Sequence, residues 1–211
     1  MVHRPRVILA DDHAMFREGL AFLLPPEMEL VAAVSNGKEL LAAAQRLQPD
    51  LIVADVTMPE LGGLDALRTL RNEGIEARVI ILTVHAEPTL ATEAVRAGAM
   101  GYVVKHAAGD ELQQALRSAV AGRTYLSPIV SGEVVRRLAQ GERAPGDALT
   151  PRQREVLRLL AEGRRAKEIA AELGLSVRTV ETHKYEIMRL LEIDNTVDLV
   201  KFAIRHGIVT P

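Results

Sequence analysis

LIVADVTMP, residues 51–59, runs four apolar residues into an aspartate, and three other segments likewise run an apolar stretch into a polar residue. They are VILADDHA (7–14), VIILTVHA (79–86) and GYVVKH (101–106). Each apolar, largely β-branched run reads as a strand buried on both faces, as in a parallel sheet. Helical patterns separate the runs, so the order is strand–helix repeated, which predicts an α/β fold. In open α/β sheets, ligands bind at the carboxyl ends of the strands. Here the runs end on Asp11 and Asp12, on Asp55, on Thr83 and on Lys105. Three carboxylates, a hydroxyl and an ammonium therefore converge on one rim. That set suits a divalent metal and a phosphoryl group, with one aspartate as acceptor.

The first strand is expected at Arg6–Ala10, followed by a helix His13–Leu24 that Pro25-Pro26 stops. Leu30–Val34, Leu51–Ala54, Val79–Leu82 and Tyr102–Val104 complete five strands. Gly37–Leu47, Leu64–Arg71, Glu87–Ala97 and Gly109–Val120 read as the remaining helices. The prediction is a doubly wound, five-stranded parallel sheet over residues 1–122. Residues 123–147 read as a linker that holds a short helix, Val130–Ala139, and the Gly-, Pro- and charge-rich GERAPGDA. Residues 148–211 are purely helical in pattern: Pro151–Glu162, Ala166–Leu173, Val177–Leu191 and Thr196–His206. This predicts a second, all-α, four-helix domain.

A chain of 211 residues is long enough for two such domains. The absence of cysteine excludes disulfides, thiolate nucleophiles and cysteine-based zinc sites. No apolar run approaches the ~20 residues that span a bilayer, and the start meets charge too early for a signal peptide. A cytoplasmic protein without membrane attachment is expected. The net charge of −2 is divided unevenly, +2 over residues 148–211 and −4 over the rest. A mildly basic carboxyl-terminal part is compatible with a nucleic-acid partner.

An aspartate that accepts a phosphoryl group must overcome the repulsion between two anions, and Mg²⁺ removes it. Asp12 and Asp55 suit direct ligation, with the Thr57 carbonyl as a third protein oxygen and Asp11 acting through water. Lys105 offsets charge on the phosphoryl oxygens and the Thr83 hydroxyl bonds one of them. With these residues in this order, residues 6–120 resemble the receiver domain of two-component response regulators. The resemblance implies that Asp55 is the phosphoacceptor, that Asp11 and Asp12 belong to the metal site, and that Thr83 and Lys105 sense the phosphoryl group. It makes Tyr102, three residues before the lysine, the switch aromatic, which turns inward when Thr83 moves toward the phosphoryl group.

Some positions depart from the receiver pattern. Gly62 in MPELGG stands where an aspartate is usual, and Val84 stands where a small residue is frequent and would crowd phosphodonor entry. His106 replaces the proline that often follows the lysine. His85, two residues after Thr83, is expected to face solvent.

In the second domain, Gly174-Leu175-Ser176 separates two short helices as the tight turn of a helix-turn-helix does. Ser176 suits the N-cap of the second helix. Val177, Val180, Ile187, Leu190 and Leu191 read as its buried stripe, which leaves Arg178, Thr179, Glu181, Thr182, Lys184 and Tyr185 facing out toward a major groove. LTPRQREVLRLLAEG, KEIAAELGLSVRTVETH and LVKFAIRHGIV resemble LuxR-type DNA-binding domains, so the whole chain resembles NarL/FixJ-type response regulators. The resemblance places Glu181, Thr182 and Tyr185 at bases, and Thr179, His183, Lys184, Arg178 and Lys167 near phosphates. Tyr185 and Glu186 stand where small or amide residues are common, which implies an unusual sequence preference. Val197, Val200 and Lys201 on the last helix become candidate dimer contacts.

The function so implied is a DNA-binding transcription regulator that a histidine kinase switches through Mg²⁺-dependent phosphorylation of Asp55, with a homodimer reading two half-sites of double-stranded DNA. Two rivals stand beside it. In one, the receiver is a dimerisation scaffold and DNA binding ignores phosphorylation. In the other, the chain is an aspartate-nucleophile phosphatase, but the position where such enzymes carry a second acid holds Thr57 and not a carboxylate. A non-enzymatic regulator is the reading preferred.

Overall fold

The computed structural model describes residues 4–140, 149–206 and 208–209. The chain divides into two compact units, Met1–Gln140 and Gly141–Pro211.

The first unit alternates β1 (Arg6–Ala10), α1 (Ala14–Leu23), β2 (Glu29–Val34), α2 (Gly37–Leu47), β3 (Leu51–Asp55), α3 (Gly63–Asn72), β4 (Arg78–Thr83), α4 (Pro88–Arg96), β5 (Gly101–Val104) and α5 (Ala108–Val120). It continues with β6 (Tyr125–Leu126) and α6 (Pro128–Gln140). All strands pair in parallel in the order β2-β1-β3-β4-β5-β6. Successive residues of a strand point to opposite faces, and here both faces are apolar, so both need cover. Val7, Leu9, Leu51, Val53, Ile80, Leu82 and Val103 pack with α1 and α5. Ile8, Ile52, Ala54, Val79, Ile81 and Tyr102 pack on the other face with α2, α3, α4 and α6. Burial of each large side chain contributes about 1.5–3 kcal/mol before the entropy cost of ordering it.

The predicted α/β class and doubly wound sheet are observed, with one strand more than the five expected. Residues 123–140, read as part of a linker, instead build β6 and α6. Tyr125 and Leu126 pair with Gly101 and Tyr102. The side chains of Val130 and Val134 are fully buried in the core that holds Tyr102. A strand of two residues carries no alternation to detect, and α6 hides only two valines on one face, too little pattern for its packing to be foreseen. GERAPGDA, the rest of the expected linker, lies outside the described residues.

The second unit holds α7 (Pro151–Ala161), α8 (Ala166–Leu173), α9 (Val177–Leu190) and α10 (Thr196–Arg205). A capping box starts α7, with Thr150 and Gln153 each satisfying the other's backbone. Val156, Leu157, Ile169, Val180, Ile187, Leu199 and Ala203 close its core. Gly174 sits at φ 65°, the left-handed conformation that ends α8 at little cost only in glycine.

Candidate functional site

Strands β1, β3, β4 and β5 are neighbours, so their carboxyl ends form one continuous rim. Asp11 and Asp12 follow β1, Asp55 is the last residue of β3, Thr83 the last of β4, and Lys105 follows β5 directly. The fold thus gathers residues from four distant segments. Lys105 Nζ lies 2.6 Å from Asp55 Oδ2 and 2.8 Å from Asp11 Oδ2. It also stands 4.7 Å from the ring centre of Phe16, in cation–π contact. Thr83 is fully buried, and its hydroxyl oxygen accepts the His85 backbone N–H at 3.1 Å. Asp55 Oδ1 accepts the Thr57 N–H at 3.4 Å, which ties the turn after β3 to the carboxylate.

Backbone packing holds this turn closely. A Cβ on Gly63, at the start of α3, would stand 2.0 Å from the Asp55 carbonyl oxygen. A Cβ on Gly62 would stand 2.8 Å from the Val56 carbonyl oxygen, so this turn has little room for the aspartate that receivers commonly carry there. Gly62 caps α3 without a side-chain hydrogen bond.

The electrostatics follow from burial. Asp55 and Asp11 are almost fully enclosed. Burial pushes the Asp55 carboxyl above its ordinary range, and the Lys105 charge and hydrogen bond offset only part of that. Burial pulls Lys105 down, but the charges of Asp55 and Asp11 outweigh it and hold the ammonium above its usual range. The pocket therefore concentrates negative charge around one lysine, and a second cation is favoured there.

Asp11, Asp12 and Asp55 lie close enough for one ion, and His13 joins them: one ligand atom from each of the four falls within 4.8 Å of the others. Sequence reasoning does not single out His13, although the signal is present, because it directly follows the acidic pair. Phe16, one helical turn further on, escapes it as well, since an aromatic in α1 reads as ordinary core.

Tyr102 is fully buried, with its hydroxyl donating to the His85 carbonyl at 2.8 Å. His85 does not face solvent as expected. Its side chain is only 10% exposed, with Nδ1 3.6 Å from Glu87 Oε2. The Tyr102 hydroxyl holds its backbone carbonyl, and the Glu87 carboxylate stands beside its ring. Val84 is about half exposed on the rim.

In the second unit, Ser176 caps α9 by accepting the Thr179 N–H at 3.0 Å. Arg178, Glu181, Thr182 and Lys167 are exposed, and Tyr185 is 78% exposed. Thr179, His183 and Lys184 are half-buried. The Thr182 hydroxyl donates to the Arg178 carbonyl at 2.9 Å. Val180 and Ile187 are buried as expected, but Val177 and Leu190 are substantially exposed. They are the first and last residues of α9. Glu186 accepts from Gln153 at 3.1 Å and ties α9 to α7. On α10, Val197 and Lys201 are exposed and Val200 is half-buried, with Lys201 3.1 Å from Asp198.

Fold and rim together define a receiver-type α/β domain, here carried in one chain with a helix-turn-helix domain. Residues 7–117 match the response regulator receiver domain, and residues 147–203 match the bacterial regulatory proteins of the luxR family. The transcriptional regulatory protein MctR of Rhizobium johnstonii is 35% identical over 100% of this chain and 99% of its own. The transcriptional regulatory protein UhpA of Escherichia coli K12 is 38% identical over 92% of this chain and 95% of its own. A solved structure of RcsB from Salmonella enterica serovar Typhimurium, bound to the promoter P1flhDC in the presence of phosphomimetic BeF3-, is 25% identical. It covers 95% of this chain and 98% of its own, with a TM-score of 0.62. The chain belongs to the two-component response regulators and is a transcriptional regulator with a LuxR-type DNA-binding domain. No helix among the described residues is long and apolar enough to cross a membrane.

Proposed function

We propose that Asp55 accepts a phosphoryl group from a sensor histidine kinase and that the acceptance controls DNA binding by the second unit. The observation that carries this reading is Lys105, held between the buried carboxylates of Asp55 and Asp11. An Asp55 oxygen attacks phosphorus, the bond from phosphorus to the kinase imidazole nitrogen breaks, and that nitrogen keeps the electron pair and takes up a proton. Asp12, Asp55 and the Thr57 carbonyl would hold Mg²⁺, with Asp11 acting through water, and the three carboxylates are a donor set that magnesium accepts. The ion supplies charge neutralisation between nucleophile and phosphoryl oxygens. Lys105, already beside the Asp55 oxygen, shifts to pair with a phosphoryl oxygen. Thr83 exchanges its bond from the His85 N–H for one to the phosphoryl group. Because the His85 carbonyl also holds Tyr102, that exchange reaches the switch aromatic through one residue.

On DNA, Glu181, Thr182 and Tyr185 would face bases, and Lys167, Arg178, Thr179, His183 and Lys184 would lie nearer phosphates. One small domain makes few phosphate contacts, so a homodimer on two half-sites of double-stranded DNA, joined through Val197, Val200 and Lys201, supplies the remainder. The chain acts as a cytoplasmic regulator and not as a turnover enzyme.

One observation favours a second reading. Tyr102 is fully buried, and the inward position is the one that the receiver resemblance assigns to the activated state. A receiver fixed in that position would act as a dimerisation scaffold. Intact-protein mass spectrometry after incubation with acetyl phosphate tests the first reading. The expected result is one phosphoryl addition that needs Mg²⁺ and is lost in Asp55→Ala. DNA affinity is then compared with and without phosphodonor, and equal affinity for wild type and Asp55→Ala would favour the scaffold.

A further inference from the structure

The geometry points to His13 as a nitrogen ligand that raises the preference of this receiver's cation site for a first-row transition-metal ion such as Mn²⁺ over Mg²⁺; the inference rests on the cation-site reading above. His13 Nδ1 lies 2.9 Å from Asp12 Oδ1 and 3.4 Å from Asp11 Oδ1. Donor atoms that share one ion sit about 3 Å apart, since each stands roughly 2.0–2.2 Å from the metal. The imidazole is thus already placed on the acidic pair. Its backbone supports that placement, because the His13 N–H donates to Asp11 Oδ1 at 2.9 Å and fixes the loop between β1 and α1. The side chain is 65% exposed, so it can turn toward an ion at the rim without opening the core.

Donor chemistry then decides the preference. Magnesium takes carboxylate, carbonyl and water oxygens and has little use for an imidazole. Manganese, iron and cobalt accept the same oxygens, and the affinity of a mixed nitrogen and oxygen site rises from manganese through iron to cobalt. Adding one imidazole to the carboxylates of Asp12 and Asp55 therefore widens the gap between manganese and magnesium. His13 separates the two ions, whereas Asp12 and Asp55 serve both.

The test uses the full-length protein. Free Mn²⁺ is followed by electron paramagnetic resonance during titration, and Mg²⁺ affinity is read from competition against bound Mn²⁺. Wild type is compared with His13→Ala, His13→Gln and Asp55→Ala, and ¹⁵N-labelled histidine reports which imidazole the paramagnetic ion broadens. The expected result is a loss of roughly tenfold or more in Mn²⁺ affinity for both His13 variants, with Mg²⁺ affinity nearly unchanged and the His13 Nδ1 resonance broadened first. Equal losses for both ions would make His13 only a partner of Asp12 and overturn the inference, as would no loss for either. If Asp55→Ala binds both ions as wild type does, the cation-site reading itself fails, and the inference with it.

Discussion

The Tyr102 hydroxyl donates to the His85 carbonyl at 2.8 Å, and the ring behind it is wholly buried between β5 and its covering helices. Burial pushes this phenol far above its ordinary pKa of 10.0, with the charges of Glu87 and Asp55 adding to the shift. The folded state therefore keeps the proton where the unfolded chain loses it. Stability from this group is fully present below about pH 10 and is lost as pH rises beyond it, by up to about 1.4 kcal/mol for each pH unit. Urea unfolding from pH 8 to 11 is expected to show a steeper decline for wild type than for Tyr102→Phe. At pH 8 the phenylalanine variant should lose about 1 kcal/mol, the net worth of one buried hydrogen bond. Parallel profiles would mean that the phenol ionises as freely when folded as when unfolded.

Lys105 bridges two enclosed carboxylates, and its removal leaves them facing each other. Lys105→Ala is expected to cost about 3 kcal/mol in metal-free buffer, in the range for a buried pair that loses one member. An added divalent cation restores part of the missing charge. The melting temperature of Lys105→Ala should therefore rise more with Mg²⁺ than that of wild type. Equal shifts in calorimetry would show that the ion and the lysine do not meet the same carboxylates.

α6 and the serine that precedes it belong to the first unit through packing and hydrogen bonds. Val130 and Val134 fill the core beside Tyr102. The Val104 N–H donates to the Ser127 hydroxyl at 3.0 Å, and Arg137 donates to the Thr89 hydroxyl on α4 at 2.9 Å. A fragment ending at residue 122 would bare this apolar surface, whereas one ending at residue 140 keeps it covered. The longer fragment is expected to unfold several degrees higher and to bind less of a hydrophobic dye. Identical melting curves would make α6 an appendage.

The legible parts of this chain are those where period and chemistry coincide. The four buried strands that lead into Asp11, Asp55, Thr83 and Lys105 are visible because a doubly covered strand is apolar throughout and a site residue interrupts it. Tyr125–Leu126 is invisible because pairing with β5, and no pattern of its own, makes it a strand. His85 reads wrongly as a solvent-facing residue because its place just beyond β4 carries no periodic pattern, and the Tyr102 hydroxyl that holds its carbonyl comes from the next strand. Val177 and Leu190 read wrongly as buried because they continue the helical period to the two terminal residues of α9, beyond the buried Val180 and Ile187. The pairing of His13 with Asp12 depends on loop geometry, though the residue type stands beside the acidic pair.

The DNA contacts proposed for α9 divide into positioning and reading, and salt separates the two experimentally. Arg178 lies exposed in the first turn, its carbonyl engaged by Thr182, and is assigned to a phosphate in the proposed complex. Giving up one phosphate pairing takes about one counterion out of the release equilibrium. Arg178→Ala should therefore weaken binding to every duplex alike and lower the slope of log affinity against log salt by about 1 per protomer. Tyr185 lies two turns further on and carries no formal charge, but it presents a broad apolar edge suited to a thymine methyl. Tyr185→Ala should leave the salt slope unchanged while narrowing the gap between preferred and scrambled sites by about 1–3 kcal/mol. Fluorescence anisotropy on both duplexes at several salt concentrations measures both effects at once. A changed slope in Tyr185→Ala, or an unchanged one in Arg178→Ala, would exchange the roles assigned to the two side chains.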